Sequence, residues 1–299
     1  MSRQIPRKTR EVSAAVAACL LLAVARAAIA AENGAIARGA YLANAADCAA
    51  CHTDEEHHGR LYAGGRAIPT PFGTFYSPNV TPDRKTGIGG WTDAQFLRAL
   101  HDGVRSDGSN LYPAFPYTSF TKITDADALA IKAYLFSLPA VRYENQPPAL
   151  PFPLSWRAMV TPWKWLFFTP GRFRPVSGRS ALWNRGAYLV TALAHCGECH
   201  TPRNFLGAME QSRFLAGTSA GPGGKAVPNI TPDRKTGIGT WSIDDIVTLL
   251  STGQTPDFDF VGGAMAEVVK STSRLTAYDR RAIAVFLKSV PPISTPKQK

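Results

Sequence analysis

The sequence predicts an all-α protein made of two similar units in tandem. Its 299 residues, 45% hydrophobic and 18% charged, are enough for two ordinary globular cores. The chain passes through the same series of features twice, roughly 150 residues apart. Each copy ends in an amphipathic helical pattern, and no βαβ pattern is visible. We therefore expect two small helical domains.

Two repeated motifs define the units. The sequence RGAYL at residues 38–42 returns at 185–189, and PNVTPDRKTGIGGW at 78–91 returns as PNITPDRKTGIGTW at 228–241. Twelve of the fourteen positions in the longer pair are identical. The Asn-x-Thr in each long copy fits a glycosylation pattern, but we interpret both as turn chemistry. The predicted boundaries are residues 32–145 for the first domain, 146–178 for a connector and 179–296 for the second domain.

Two helices in each unit are predicted from their N-termini. Each begins with Ser or Thr followed three residues later by Gln or Asp, which is a capping signature. The four pairs are Thr92 with Gln95, Ser242 with Asp245, Thr124 with Asp127, and Thr276 with Asp279. The apolar faces that follow include Phe96, Leu97 and Leu100; Ile246, Leu249 and Leu250; Ile131, Tyr134, Leu135 and Leu138; and Ile283, Phe286, Leu287 and Val290. We expect the RGAYL helices to cross the last helices through small residues.

The connector is rich in proline and aromatic residues. Flexible linkers are polar, whereas this segment carries large apolar groups. They are Trp156, Trp163, Trp165, Phe167 and Phe168. We expect the connector to pack along the two units, with a partner protein as the alternative.

The N-terminus predicts export. A basic stretch precedes an apolar run from Val12 to Ile29, which is typical of a signal peptide, residues 1–31, cut after Ala30 or Ala31. An uncleaved anchor is the alternative. Cleavage would remove five basic side chains and Glu11, and it would change the formal charge from +11 to +11 − 5 + 1 = +7. No basic run marks a nucleic-acid groove, so we expect no nucleic-acid partner.

The remaining four cysteines lie in two Cys-x-x-Cys-His motifs, Cys48 to His52 and Cys196 to His200. This motif attaches a c-type haem: the thiols bind the haem vinyl groups and the imidazole reaches the iron. A shared zinc site is disfavoured because each pair has its own His and its own repeat. The sequence predicts two covalently bound haem c groups on Cys48, Cys51, Cys196 and Cys199, with His52 and His200 as iron ligands.

The sixth iron ligand differs between the units. Met265 lies in a Gly-rich stretch before the last helix, where the distal ligand of a small cytochrome is expected. At the matching place in the first unit stands Phe115, which cannot bind iron. Either that haem is five-coordinate, or another side chain replaces the methionine. The candidates are His57, His58, His101 and Met159.

The two CxxCH motifs, the repeated PN(V/I)TPD loop and the stretch LYPAFPY at 111–117 resemble the cytochrome c subunits of bacterial membrane-associated alcohol, aldehyde, gluconate and nicotinate-type dehydrogenases. The resemblance implies tandem class I cytochrome c-like domains that take electrons from a partner dehydrogenase and pass them to a quinone or terminal oxidase. Alcohol dehydrogenase subunits of this type carry three haems and usually Met within YPAMPY. This chain has two motifs and Phe115.

These features favour electron transfer as the function. We expect the protein in the periplasm, on the outer face of the cytoplasmic membrane, with which it would associate peripherally. Substrate chemistry then belongs to the partner, and this chain needs no catalytic residue. The alternative is a peroxidase-like or thiosulfate-oxidising dihaem enzyme with an open first haem.

Overall fold

The computed structural model describes residue 26 and residues 30–295. The predicted signal peptide lies outside the described residues except for Arg26, Ala30 and Ala31, and so does the last residue of the predicted second domain. The described part is mostly helical, in agreement with the predicted class. Within it, no helix combines the length and the apolar character needed to cross a bilayer.

The first half of the molecule, residues 30–145, contains five helices and one hairpin. Helix α1 covers residues 30–45 and leads directly into the first CxxCH motif. The remaining elements are α2 (Cys48–His52), β1 (Ala67–Thr70), β2 (Gly73–Tyr76), α3 (Asp93–Asp102), α4 (Tyr117–Phe120) and α5 (Asp125–Ser137).

The second half, residues 179–295, repeats this order without the hairpin. It is preceded in the connector by a 3-10 turn, Arg157–Met159, and by α6 (Val160–Phe167). Its main elements are α7 (Ala181–Tyr188) with a π-helical continuation (Leu189–Leu193), α8 (Gly197–His200), α9 (Ile243–Thr252), α10 (Ala264–Thr272) and α11 (Ala277–Leu287). Two short 3-10 turns, Gln211–Arg213 and Pro222–Gly224, lie between α8 and α9.

The predicted helix starts are confirmed. In α3 the hydroxyl of Thr92, the N-cap residue, accepts a hydrogen bond from the backbone N–H of Gln95, and the Gln95 side chain accepts one from the backbone N–H of Thr92. Ser242 and Asp245 make the same pair of bonds in α9. In α5 and α11 the hydroxyls of Thr124 and Thr276 cap the helix in the same way. The aspartates three residues later bind other groups instead. The apolar faces of these four helices pack in one hydrophobic core.

The first and last helices of each half cross at a glycine, as expected. A Cβ added at Gly39 would lie 1.8 Å from the carbonyl oxygen of Ala130, and one added at Gly186 would lie 1.9 Å from that of Ala282. Both distances are far below van der Waals contact, so only glycine allows this approach. Helix α1 therefore rests on α5, and α7 rests on α11.

Asp127, in the first turn of α5, joins the two halves. Arg38 of the same half binds its Oδ1 through Nε at 2.9 Å, and the Asp127 side chain is only 4% exposed. Its Oδ2 accepts a hydrogen bond of 2.7 Å from the hydroxyl of Tyr188, which belongs to the second half. The Tyr188 oxygen in turn accepts the backbone N–H of Thr124 at 3.2 Å.

Asp279, in the first turn of α11, makes the reciprocal set of contacts. Arg185 of its own half binds it through Nε at 2.8 Å and Nη2 at 2.6 Å. The hydroxyl of Tyr41, from the first half, donates to Oδ2 at 2.6 Å and accepts the N–H of Thr276 at 3.2 Å. In each RGAYL motif the Arg thus binds the aspartate of its own half, and the Tyr binds the aspartate of the other half. This reciprocal exchange of tyrosines relates the two halves by a pseudo-two-fold axis.

The hairpin and the helices α4, α6 and α10 were not predicted. Strands β1 and β2 form a short antiparallel hairpin, with Ile68 opposite Phe75, within a structure that is otherwise mostly helical, as predicted. Thr70 closes the turn, since its hydroxyl accepts the N–H of Phe72 and donates to the carbonyl of Gly73. Helix α10 has nine residues, whereas the matching place in the first half holds only the single turn α4. The second half also has two more residues before its last helix.

The connector packs against the protein's own surface. Lys164 Nζ donates to the carbonyls of Asp102 and Gly103 at the C-terminus of α3. The Trp163 indole N–H donates to the carbonyl of Leu206 in the second half. The Phe173 ring packs on Tyr188, with centroids 5.4 Å apart. The connector therefore contacts both halves, although part of it stays exposed.

Replacing Gly186 with alanine tests the crossing of α7 and α11. We expect Gly186→Ala to lower the free energy of unfolding by about 2–3 kcal/mol, because the methyl group forces the helices apart. Gly34→Ala in α1 is the control, since no atom lies within 4 Å of its added Cβ. That change should stabilise by at most about 1 kcal/mol. Denaturant unfolding of the haem-loaded variants measures both, and an unchanged Gly186→Ala midpoint would contradict the crossing.

The Asp279 network predicts acid sensitivity. Burial alone would raise the pKa of Asp279, but the hydrogen bonds from Arg185 and Tyr41 outweigh it and lower that pKa. A carboxyl whose pKa is lower in the folded state stabilises the fold above the ordinary pKa of about 3.9, and this contribution is lost as the pH falls through the folded pKa.

We therefore expect Asp279→Asn to cost about 3 kcal/mol at neutral pH, because it leaves Arg185 without its carboxylate. As the pH falls from neutral to the folded pKa of Asp279, the free energy of unfolding should decrease less in the variant than in the wild type. Denaturant unfolding at a series of pH values measures this. Asp257→Asn removes the same charge at an exposed position and serves as the control. Parallel pH profiles for wild type and Asp279→Asn would rule out the network.

Candidate haem attachment sites

Each CxxCH motif forms a single helical turn. In the first half the turn is α2, and in the second half Cys196 stands at the N-cap of α8 with right-handed helical backbone angles. Residues i, i+3 and i+4 of a helix share one face. The two thiols and the imidazole of each motif therefore lie on the same side of the turn, which fits the attachment of one haem from one side.

A proline carbonyl orients each motif histidine. Nδ1–H of His52 donates to the carbonyl of Pro78 at 2.8 Å, and Nδ1–H of His200 donates to that of Pro228 at 2.8 Å. Because a carbonyl oxygen only accepts, Nδ1 carries the proton and Nε2 keeps its lone pair. Burial lowers the pKa of both imidazoles and favours this neutral form. A neutral imidazole held by a carbonyl is well suited to bind iron.

The thiols do not have the character of a redox pair. Burial raises the pKa of Cys48 and of Cys196 to about 12, so both remain protonated at neutral pH. Redox-active and metal-binding cysteines have lowered pKa values that favour the thiolate. Burial therefore disfavours the thiolate form that disulfide exchange needs.

Glu198, between the two cysteines of the second motif, connects that motif to the first half. Its carboxylate accepts hydrogen bonds from the hydroxyls of Thr118 at 2.8 Å and Ser119 at 2.7 Å, and it pairs with Arg203 at 2.6 Å. Burial alone would raise the pKa of Glu198, but Arg203 and the two hydroxyls outweigh it and lower that pKa. The second motif therefore carries a buried negative charge. The first motif has Ala50 at this position.

The first motif is joined to the second half in a similar way. Asp47, directly before Cys48, has a left-handed backbone with a φ of 52° and accepts a hydrogen bond from the hydroxyl of Ser271. The amide of Asn44 donates to the Ser271 carbonyl at 2.8 Å. Arg66 pairs with Glu267 at 2.9 Å. Helix α10 thus lies against the first motif.

These contacts place both motifs at the boundary between the halves. His195, which precedes the second motif, packs edge-on against Phe120 of the first half, with ring centroids 5.3 Å apart. Burial raises the pKa of Cys51 to about 11, and the charge of Asp47 raises it further.

The predicted sixth-ligand positions differ in structure as well as in sequence. Met265 is half-buried and is the second residue of α10, so the Gly-rich stretch leads into a helix that was not predicted. Phe115 lies just before α4 and packs edge-on against Phe120, with centroids 5.5 Å apart. A phenyl ring has no lone pair to offer to iron. The asymmetry of the sequence is thus retained in the fold.

His101 is the buried candidate for a replacement ligand. Its ring is inaccessible to solvent, and Nδ1 lies 3.6 Å from the carboxylate of Asp125 at the start of α5. Burial lowers the pKa of His101 to about 4, with a further contribution from Arg172 of the connector. The ring is therefore neutral and is packed beneath the connector.

The other three candidates lie at the surface. The imidazole of His57 binds the Asp54 carboxylate at 2.9 Å, and its side chain is exposed. His58 is exposed, with a φ of 55°. Met159 ends the 3-10 turn of the connector and is 40% exposed. Each of these side chains is thus engaged or oriented elsewhere.

Sequence reasoning missed the role of Pro78 and Pro228. The repeated loops were recognised, and their Asn–Thr pairs do form buried turns: the side-chain Oδ1 of Asn79 accepts hydrogen bonds from both the N–H and the hydroxyl of Thr81. The same contacts join Asn229 and Thr231. The repetition of the loop was the signal in the sequence. Because every residue has a backbone carbonyl, the sequence does not show that the proline carbonyl binds the histidine.

Comparison with known proteins agrees with this geometry. A family model described as Cytochrome c matches residues 36–139. A protein named diheme cytochrome c-type, from Cereibacter sphaeroides, is 44% identical over 87% of this chain and 88% of its own length. The chain belongs to the cytochrome c family.

Two further relatives are parts of dehydrogenases. The fructose dehydrogenase cytochrome subunit of Gluconobacter japonicus is 45% identical over 87% of this chain, and a nicotinate dehydrogenase subunit of Pseudomonas putida is 45% identical over 85%. The chain spans 54% of the first and 21% of the second, so it corresponds to only part of each.

Proposed function

We propose that this chain is an exported periplasmic dihaem cytochrome that passes single electrons from a partner dehydrogenase to a quinone or terminal oxidase of the respiratory chain. The observation that carries the proposal is one geometry found twice: a helical CxxCH turn whose histidine is oriented by a proline carbonyl. The division into two cytochrome c domains, residues 32–145 and 179–296, with the connector 146–178 between them, is part of the proposal.

In this proposal, Cys48 and Cys51 attach one haem c, and Cys196 and Cys199 attach the other. His52 and His200 are the proximal ligands, since Nε2 of each keeps its lone pair. A haem bound in this way carries one electron at a time. The protein would fix its position and its electrostatic surroundings, which include the Glu198–Arg203 ion pair at the second motif.

The positions of the motifs support a relay within one chain. Both lie at the boundary between the halves, held there by the Glu198 contacts on one side and the Asp47 contacts on the other. Two haems attached at these places would both be held near this boundary. An electron accepted at one haem could then reach the other without leaving the protein.

The relatives support a dehydrogenase as the electron donor. Several are named as cytochrome subunits of fructose, alcohol and gluconate dehydrogenases, which differ in substrate. This variety fits a relay that does not contact the substrate. The oxidation chemistry would then belong to the partner.

Phe115 favours a second candidate function. With Met265 as the distal ligand of the second haem and Phe115 at the matching place, the first iron would have an open position. A peroxidase-like or thiosulfate-oxidising enzyme would bind its substrate there. Electron transfer remains the function we propose, because the two halves share one scaffold and the relatives are named as cytochromes.

Haem counting tests attachment. We expect the exported wild-type protein to contain two covalently bound haems per chain, measured by mass spectrometry and by haem absorbance after denaturation. The Cys196→Ser/Cys199→Ser variant should retain one, because the first motif is complete without the second. Ser106→Ala changes an exposed serine outside both motifs, so it is the control and should retain both. One haem in the wild type, or none after denaturation, would refute the proposal.

Exchanging the distal residues tests the asymmetry. We expect the reduced wild-type protein to bind carbon monoxide at one haem only. Met265→Phe should open the second haem and lower its reduction potential, because the thioether that stabilises ferrous iron is lost. Phe115→Met should reduce carbon monoxide binding at the first haem. Optical and EPR spectra report these changes, and two closed low-spin haems in the wild type would show that another side chain fills the first site.

A further inference from the structure

Two loops have the same backbone conformation, one after α3 (residues 103–111, the α3 loop) and one after α9 (residues 253–261, the α9 loop). The N–H of Leu111 donates to the carbonyl of Gly103 at 2.7 Å, and the N–H of Val261 donates to that of Gly253 at 2.9 Å. Residues 104 and 110 form an isolated β-bridge, and so do residues 254 and 260. Residues 108 and 110 of the α3 loop therefore match residues 258 and 260 of the α9 loop.

The connector packs on the α3 loop and is fastened at Asn110. The Asn110 amide donates to the hydroxyl of Thr161 at 2.8 Å, and its side-chain oxygen accepts a hydrogen bond from Lys164 Nζ at 2.7 Å. Arg157 donates to the Asn110 backbone carbonyl at 2.9 Å. Lys164 also binds the backbone carbonyls at the C-terminus of α3, where the helix dipole favours a cation. The connector thus supplies this end of the helix with a positive charge.

The α9 loop has no such cover in the described part of the chain. Phe260 stands where the α3 loop has Asn110, and it is 69% exposed. Phe258 is 81% exposed. Within residues 30–295, no side chain donates to the backbone carbonyls of Thr252 and Gly253 at the end of α9. The surface that the connector occupies in the first half is therefore open and apolar in the second half. We call residues 257–260 the α9 loop face.

Phe258 is held in a backbone conformation that phenylalanine disfavours. Its φ is 64°, in the left-handed region, and the matching residue of the α3 loop is Gly108, with a φ of 85°. Glycine adopts such angles freely, whereas a bulky residue does so at a cost in free energy. Because the ring is exposed, burial within this chain does not offset that cost. Strain and exposure at the same residue indicate a function outside the fold.

Negative charge surrounds the two phenyl rings. Asp257 and Asp259 are exposed, and within the described residues neither carboxylate forms an ion pair. In the α3 loop the matching Asp107 instead accepts hydrogen bonds from the N–H and the hydroxyl of Ser109. The C-terminus of α9 adds the negative end of a helix dipole. An apolar face with these surroundings is complementary to a segment that is both aromatic and basic.

We propose that the α9 loop face docks a basic, aromatic segment of a protein partner, with a Lys or Arg of that segment at the carbonyls of Thr252 and Gly253. The connector shows the chemistry of such an occupant, since it is rich in aromatic residues and brings Lys164 to the matching carbonyls of α3. The inference rests on the proposed function in one respect, that the partner exchanges electrons with this chain. Met265, the proposed distal ligand, follows the face closely in the chain.

Site-specific photo-crosslinking in the organism that makes this protein tests the proposal. The test variant is Phe260→benzoylphenylalanine. The control is Tyr278→benzoylphenylalanine, which places the same group at an aromatic residue that is 54% exposed on α11. We expect the test variant alone to capture a protein other than this chain. Mass spectrometry of the crosslinked peptide should identify an aromatic segment that contains Lys or Arg.

The captured protein is then purified, and its binding to the haem-loaded chain is measured. We expect Phe258→Ser/Phe260→Ser and Asp257→Asn/Asp259→Asn each to weaken binding roughly tenfold, and added salt to weaken the binding of wild type. No capture, the same products from the control, or capture of lipid, a second copy of this chain or an acidic segment would overturn the proposal. Capture of the stated segment without electron exchange would support the docking face and contradict the proposed relay.

Phe258→Gly separates this role from a structural one. Because glycine relieves the strain at a φ of 64°, the variant should unfold at a denaturant concentration at least as high as that of the wild type. Its binding to the captured protein should nevertheless weaken, since the ring is lost. A lower unfolding midpoint with unchanged binding would assign Phe258 to the fold and overturn its place in the docking face.

Discussion

The structure depends on two buried aspartates, each of which binds an arginine of its own half and a tyrosine of the other. Asp127 and Asp279 sit in the first turn of the last helix of their halves, where a negative charge is also favoured by the helix dipole. Both accept charge-assisted hydrogen bonds, which are stronger than neutral ones. Since neither carboxylate is solvated, loss of one partner would leave a buried charge uncompensated. The exchange therefore fixes α1, α5, α7 and α11 relative to one another.

The placement of the motifs follows from this arrangement. Each CxxCH turn begins shortly after the helix that carries the exchanged tyrosine, so fixing the tyrosines also fixes the turns. Short-range contacts then complete each site: Pro78 and Pro228 orient the histidines, while Glu198 and Asp47 bind the opposite half. A common scaffold holds two sites whose buried charged groups and distal residue differ. In the proposed relay, such differences would give the two haems different potentials, and these would set the direction of electron flow.

Much of this could be predicted from the sequence. The repeated motifs, the helix caps and the apolar faces are local signals, and the structure contains the elements that they predict. The exchanged tyrosines could not be assigned in this way, because Tyr41 and Asp279 are separated by most of the chain. Helix α10 was missed because Gly262 and Gly263 indicated a loop, and because the β-branched Val268 and Val269 have low helix propensity. The hairpin depends on a side-chain turn at Thr70, which periodicity does not reveal.

The most direct test of the central claim is to supply less than one electron per protein and follow its distribution between the two haems. The haem-loaded protein is mixed rapidly with a limiting one-electron reductant, and the two haems are distinguished by their optical spectra. If they lie side by side at the boundary between the halves, the electron should redistribute at a rate independent of protein concentration. A rate proportional to concentration would mean that electrons pass only between molecules, and it would contradict a relay within one chain.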